Sequence, residues 1–170
     1  MGGRSHHAEF NAHLVPVISA LDAYTAGDAF GAAIDLTPYV STIIIKPEGQ
    51  SQWHTFIEIS SVGVSDLDDQ QASYDVYFKC EDFNVDIPDN DPFNPSSTDL
   101  IGLSPVIMLP ASGNYRELPP GGTQAKGSWE PSFTKIPLQG SKLWAKIVIQ
   151  DAKTFTGIDR VTFDLIGFIN

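Results

Sequence analysis

Apolar and polar positions alternate with a period of two along much of this chain. In YDVYFKC (74–80), Tyr74, Val76, Phe78 and Cys80 share one face, while Asp75, Tyr77, Lys79 and the following Glu81 share the other. In KLWAKIVIQ (142–150), Leu143, Ala145, Ile147 and Ile149 gather opposite Lys142, Trp144, Lys146, Val148 and Gln150. DRVTFDLIGFI (159–169) repeats the pattern with Val161, Phe163, Leu165 and Ile169. Successive side chains of a strand point to opposite sides of a sheet, so these segments predict strands with one face on a core. VSTIIIK (40–46) and WHTFIEISS (53–61) are two more predicted strands, joined by a turn at Pro47-Glu48-Gly49-Gln50. LVPVIS (14–19) is a further candidate that Pro16 confines to an edge or an irregular position.

Helical signals are few. The best is SSTDLIGL, where Ser96 or Ser97 caps a single turn after Pro95. LDAYTAGDAFGAAIDL (21–36) is alanine-rich, but a helix there would hold Gly27 and Gly31 in its interior, at a cost of roughly 2 kcal/mol relative to alanine. Asp22–Thr25 is instead expected as a short strand, Ala26-Gly27-Asp28 as a turn, and Ala29–Leu36 as the returning strand. Prolines and glycines punctuate two long loops, PDNDPFNPSST (88–98) and LPPGGTQAKGSWEP (118–131). The expected fold is all-β: one antiparallel β-sandwich or jelly-roll-like domain over residues 14–170, with two long loops and a short N-terminal arm at 1–13.

Composition is consistent with this. A chain of 170 residues suits one domain and buries roughly two-thirds of its unfolded surface. Its 42% hydrophobic and 18% charged residues are far from the profile of a disordered chain. Cys80 is the only cysteine, which excludes an intrachain disulfide and a multi-cysteine metal site. The net charge of −11 is uneven: Asp66–Asp99 holds ten acidic residues against Lys79 alone, a local −9, whereas Lys126–Lys153 carries a local +3. An acidic protein repels phosphate, so direct nucleic-acid binding is not expected. The two charged segments suggest a solvated acidic loop or, alternatively, complementary edges of neighbouring copies. No run approaches the ~18 apolar residues of a membrane helix, and MGGRSHHAEFNAHL lacks the apolar core of a secretory signal. Synthesis in a cytoplasm, with no membrane association, is the expectation.

Candidate chemistry is sparse. Cys80 lies on the apolar face of its strand, where a cysteine is ordinarily inert, and no G-x-S-x-G elbow occurs. His6, His7, His13 and His54 show no helical i, i+4 metal pair. Asp89, Asp91 and Asp99 form a weak calcium candidate: the oxygen ligands are spaced as in calcium loops, but the glycine and glutamate of an EF-hand are missing. No enzyme activity and no cofactor are expected. Trp53, Trp129 and Trp144, with Tyr24, Tyr39, Tyr74, Tyr77 and Tyr115, suggest either a sugar-stacking platform or a subunit contact, and the contact is favoured for Trp144.

Three stretches occur in a telling order: AYTAGDAFGAAIDL, then ASYDVYFKCEDF with DNDPFNPSSTDLIG, then KLWAKIVIQDAKTFTGIDRVTFDLIGFI. Together they resemble a family of small virion structural proteins of tailed bacteriophages, of the capsid decoration or cement type. Members carry an Ala-Tyr-x-Ala-Gly-Asp segment, matched by Ala23, Tyr24, Ala26, Gly27 and Asp28. They continue with Tyr-Asp-x-Tyr, matched by Tyr74, Asp75 and Tyr77, and Asp-Asn-x-x-Phe, matched by Asp89, Asn90 and Phe93. The resemblance implies a non-enzymatic protein on the capsid surface that binds the major capsid protein and self-associates, as a trimer at a capsid symmetry axis. Arg4, His6, His7, Phe10, Tyr24, Phe93, Trp129 and Trp144 are the interface candidates on this reading. The alternative is a carbohydrate- or receptor-binding domain of a phage tail or fibre protein.

Overall fold

A computed structural model describes residues 8–19, 21–41, 55–104, 106–119, 121–131, 134–138 and 142–169. The alternating segments become two antiparallel sheets packed face to face. The larger sheet runs in the order β1 (Ala8–Leu14), β10 (Val161–Ile169), β3 (Thr55–Asp66), β7 (Ala125–Trp129) and β6 (Tyr115–Glu117), with β8 (Thr134–Leu138) also paired to β3. The smaller sheet runs β2 (Ile34–Asp35), β9 (Trp144–Ile149), β4 (Tyr74–Lys79) and β5 (Ile107–Leu109). Two short helices, α1 (Thr37–Ser41) and α2 (Ser97–Gly102), complete the described elements. The fold is an all-β sandwich.

The inner faces are those the alternation marks. Val161, Phe163, Leu165 and Ile169 of β10 face Tyr74, Val76 and Phe78 of β4 and Ala145, Ile147 and Ile149 of β9 in one continuous core. An aromatic cluster stitches the sheets together. Phe30 lies 5.2–5.3 Å, centroid to centroid, from Tyr24, Tyr74 and Phe155, and the Tyr74 and Phe163 rings meet edge-on at 5.0 Å. Such pairs each contribute about 0.5–1.5 kcal/mol beyond their area burial.

One irregularity is instructive. Ile57 and Ile59 face inward, but so do Val62 and Val64, so the inward set changes phase within β3. The cause is a β-bulge: Ile166 pairs with Ser61 and Gly167 with Ile59, leaving Ser60 extra. Ser60 Oγ donates to the Ile166 carbonyl at 3.1 Å, and Gly167 lets the strands close, because a Cβ there would strike the Glu58 carbonyl oxygen.

Several expectations are corrected. Residues 8–13, expected in an arm, are sheet residues: Phe10, Ala12 and Leu14 of β1 point into the core and Glu9, Asn11 and His13 point out. Val40 and Ser41, expected at the start of a strand, belong to α1; Pro38 sits in its first turn, where a missing N–H costs little, and Asp35 accepts from Thr37 N–H at 2.8 Å. The rest of the 40–46 strand and the 47–50 turn lie outside the described residues. The 118–131 loop contains β7, whose Trp129 ring lies over Gly127. Helix α2 begins where expected, with Ser96 as its cap. Pro16 lies past the end of β1, outside any regular strand.

The 21–36 stretch is non-helical and turns at Ala26-Gly27, as expected, but the expected strand pair is not there: only Ile34–Asp35 forms a strand, Ala23, Asp28 and Ala29 make isolated bridges, and the two limbs do not pair with each other. Both run along the C-terminal part of the chain. Leu36, Phe30, Gly27, Tyr24 and Leu21 donate in turn to the carbonyls of Leu143, Ile147, Ile149, Lys153 and Phe155. The result is one long edge, interrupted where Gly27 and Gly31 take φ of 93° and 79°.

Candidate functional site

The outward positions of β4 and β9 are where the sequence and the surroundings disagree most. Alternation places Lys79 and Lys146 on the solvent side of the smaller sheet, and both are buried. They are covered by a third layer made of residues 80–104 with the 27–33 segment. Lys79 Nζ donates to Asp99 Oδ1 at 2.7 Å and to the Asp82 carbonyl at 3.0 Å, with Glu81 at 3.2 Å. Lys146 Nζ donates to the carbonyls of Gly31 (2.8 Å) and Ile87 (2.6 Å), and Asp86 lies 3.4 Å away. The Tyr77 and Phe93 rings meet at a tilt, centroids 4.9 Å apart.

Charge and burial compete in this layer. Burial works against the Lys79 ammonium, but Asp99 and Glu81 outweigh it and its pKa ends up raised. At Lys146 burial dominates and the Asp86 charge offsets it only in part, so its pKa is lowered. Burial alone would raise Asp99; hydrogen bonds from Lys79, Asn84 and Ser96 overcome this and hold the carboxyl well below the usual range. Both of its oxygens are engaged, with Asn84 N–H at 2.9 Å and Ser96 Oγ–H at 2.7 Å. Neither ammonium reaches solvent, so neither is placed to attack a substrate.

Asp89 is the second hub. It accepts from Ser19 N–H (2.5 Å), Gly31 N–H (2.6 Å) and the Tyr24 hydroxyl (2.7 Å). Asn90 N–H donates to the Ala29 carbonyl at 2.9 Å, and Phe93 N–H to the Gly27 carbonyl at 2.8 Å. Two of the stretches that carry the family resemblance, Ala23–Asp28 and Asp89–Phe93, are thus laced together. With Asp89 and Asp99 committed to separate sets of N–H and O–H donors and Asp91 exposed, the three aspartates do not form one ligand set. Among the described residues no group of three His, Cys, Asp or Glu side chains could hold a metal ion.

The interface candidates separate. Phe10 and Tyr24 are core residues with no surface to offer a partner, and Trp129 is buried, donating from Nε1 to the Pro110 carbonyl at 3.0 Å. Phe93 and Trp144 are half-buried, and Arg4, His6 and His7 lie outside the described residues. Most of the proposed sugar-stacking aromatics are likewise occupied: Tyr24 and Tyr74 are buried, Tyr77 packs against Phe93, and Tyr115 meets Trp129 edge-on at 5.2 Å. Cys80 is half-buried and its thiol donates to the Pro137 carbonyl. Lys146 and Asp86, one from each of the two oppositely charged segments, meet within the chain.

What sequence reasoning missed is the apolar surface outside these residues. On α2, Leu100 is 62% and Ile101 87% exposed, directly beside the buried Asp99. On the outer face of the larger sheet, Ile166 and Phe168 are exposed near Phe56, whose ring lies 4.7 Å from Lys135 Nζ. A shallow depression of about 400 Å³ is lined by Met108, Asn114, Ser128, Trp129, Glu130 and Pro131. The period of β10 carried the Phe168 signal, because it puts a phenylalanine on the polar side of the strand. The chain matches no protein-family model and no curated protein in sequence.

Proposed function

We propose that this protein is a non-enzymatic structural component of a bacteriophage virion, a decoration protein that binds the major capsid protein on the head surface and stabilises the shell. The observation that carries this reading is the mounting of α2. A six-residue helix, capped by Ser96 and fastened from beneath by Asp99 to Lys79, holds Leu100 and Ile101 out to solvent. A docking surface needs large apolar anchors whose positions are fixed before contact, since ordering them on binding costs affinity. Exposed Glu81, Asp82, Asp86 and Asp91 of the same layer favour a basic rim on the shell. The resemblance of the 23–28, 74–77 and 89–93 segments to virion structural proteins supplies the rest of the reading.

The test is addition of purified protein to mature phage heads stripped of their decoration proteins, followed by co-sedimentation. Binding is expected, and Leu100→Asp with Ile101→Asp is expected to abolish it while leaving the melting temperature unchanged. Failure to bind heads, together with aromatic-dependent signal on a glycan array, would replace this reading with a receptor-binding one.

A further inference from the structure

We infer that three outward residues of the larger sheet, Arg116, Lys126 and Ser65, form a binding site for an oxyanion of the phosphate or sulfate class. They share one register across β6, β7 and β3: Arg116 pairs with Lys126, and Lys126 with Ser65. Arg116 and Lys126 are exposed, and Ser65 is half-buried. Leu118 N–H donates to the Gln124 carbonyl at 2.8 Å, and Ser128 N–H to the Asn114 carbonyl at 3.3 Å. Arg116 and Lys126, midway between those pairs, therefore stand directly opposite as a hydrogen-bonded pair, about 5.5 Å apart at Cα. Both side chains leave the sheet on the same side, so both charged ends can reach one ion.

Elsewhere on this face the cross-strand charges are matched. His13 stands opposite Asp164, 2.6 Å away, and Lys135 opposite Glu58. Away from this row, Lys79, Lys146 and Arg160 each have a carboxylate within 3.4 Å. Arg116 against Lys126 breaks the pattern, and like charges directly opposite destabilise a sheet. Neither side chain makes an ion pair or hydrogen bond among the described residues. The carboxylates next to the row are committed elsewhere. Glu117 accepts from Gly121 N–H at 2.7 Å, and Asp66, on the core side, from Gln71 N–H at 2.7 Å. Beyond Lys126 the row continues with hydroxyls, Ser65 and then Thr162 of β10, rather than with an acid. An oxyanion between the two cations removes their repulsion and accepts charge-assisted hydrogen bonds from both. The net charge of −11 opposes approach from afar, but salt screens it beyond about 8–10 Å, so the local pair decides. The row lies on the side of the sandwich opposite α2 and is independent of head binding.

Titration with sodium sulfate, followed by NMR at an ionic strength held constant with chloride, tests the site. Shifts that saturate and centre on the Arg116 Nε–H and the Lys126 and Ser65 amides are expected. Arg116→Gln and Lys126→Gln, at exposed positions, should each keep the amide spectrum of the fold and weaken binding roughly tenfold. In chloride alone each substitution should raise the melting temperature, because it removes the repulsion, and saturating sulfate should narrow that difference. Methyl phosphate beside inorganic phosphate tells a free ion from an esterified one. The open face leaves one oxygen toward water, so the ester should bind as well as the free ion, and its rejection would overturn the open-row geometry. Shifts that never saturate, that centre on other residues, or that survive both substitutions would each overturn the inference. So would a fall in melting temperature for both variants in chloride.

Discussion

Lys79 and Asp99 lie 2.7 Å apart with both side chains shielded from water, and their value to the fold depends on each other. Removing one partner of a buried pair strands the other, so Lys79→Met should lower unfolding free energy by about 3–5 kcal/mol. Adding Asp99→Leu should recover part of that loss; urea unfolding of the single and double variants checks it. The lowered pKa of Asp99 sets a pH dependence. Its stabilisation is present above the unfolded carboxyl value of ~3.9 and is lost as pH falls through the lower native value. Asp68 has the same sign: burial raises it, but Thr156 and Arg160 outweigh burial and its pKa is lowered. Buried Asp66 has the opposite sign, because burial raises its native pKa and protonation therefore favours the fold. Asp99→Asn should thus flatten the acid limb of the stability curve, measured as urea midpoints between about pH 2 and 5. The Tyr74 hydroxyl is buried with no hydrogen-bond partner among the described residues. Tyr74→Phe should therefore be neutral or stabilising by about 1 kcal/mol in thermal unfolding. None of this was legible in the sequence, where a lysine at an outward strand position reads as solvent-facing. Only the covering layer changes its environment, and that layer comes from residues distant along the chain.

Between β3 and β10, the bulge at Ser60 lets Ile57, Ile59, Val62 and Val64 all reach the core. Gly167→Ala would press a methyl group into the Glu58 carbonyl, and overpacking of this kind costs about 1–3 kcal/mol, read as a fall in melting temperature. At this scale β4, β9 and β10 were legible because period two survives whenever one face is buried. β1 was equally legible in AEFNAHL, with Phe10, Ala12 and Leu14 alternating against Glu9, Asn11 and His13, but its place near the terminus suggested an arm. β7 was hidden because Ala125 and Gly127 carry almost no apolar signal, and Trp129 supplies the bulk that Gly127 lacks. In the 21–36 stretch, local signals identified the turn at Ala26-Gly27 but not the strands, of which only Ile34–Asp35 forms. Pairing partners more than a hundred residues away cannot be read from a local pattern.

For the whole molecule, the acidic excess of residues 66–99 divides into an inner and an outer set. Asp66, Asp89 and Asp99 organise turns and layers from within, while Glu81, Asp82, Asp86 and Asp91 remain at the surface. On the proposed reading, attraction of the outer set to a basic shell would be screened by salt, so the rate of head binding should fall as ionic strength rises, whereas the apolar anchors on α2 should govern dissociation. Stopped-flow binding at several salt concentrations separates the two. The candidate surface was less legible than the fold because an interface is defined by what stays uncovered, and that requires knowing which segments lie on top of which.

Beneath the third layer, water cannot reach the amines of Lys79 and Lys146, two of the chain's seven lysines, while Lys126, Lys135 and Lys142 are open. Acylating reagents will modify the open three at once. They will reach the covered two only when residues 80–104 lift, slowed by the equilibrium constant of that opening. Mass-spectrometric timing of those two acylations would therefore serve as a clock for local opening, and, on the proposed reading, would show whether contact with a shell stops it.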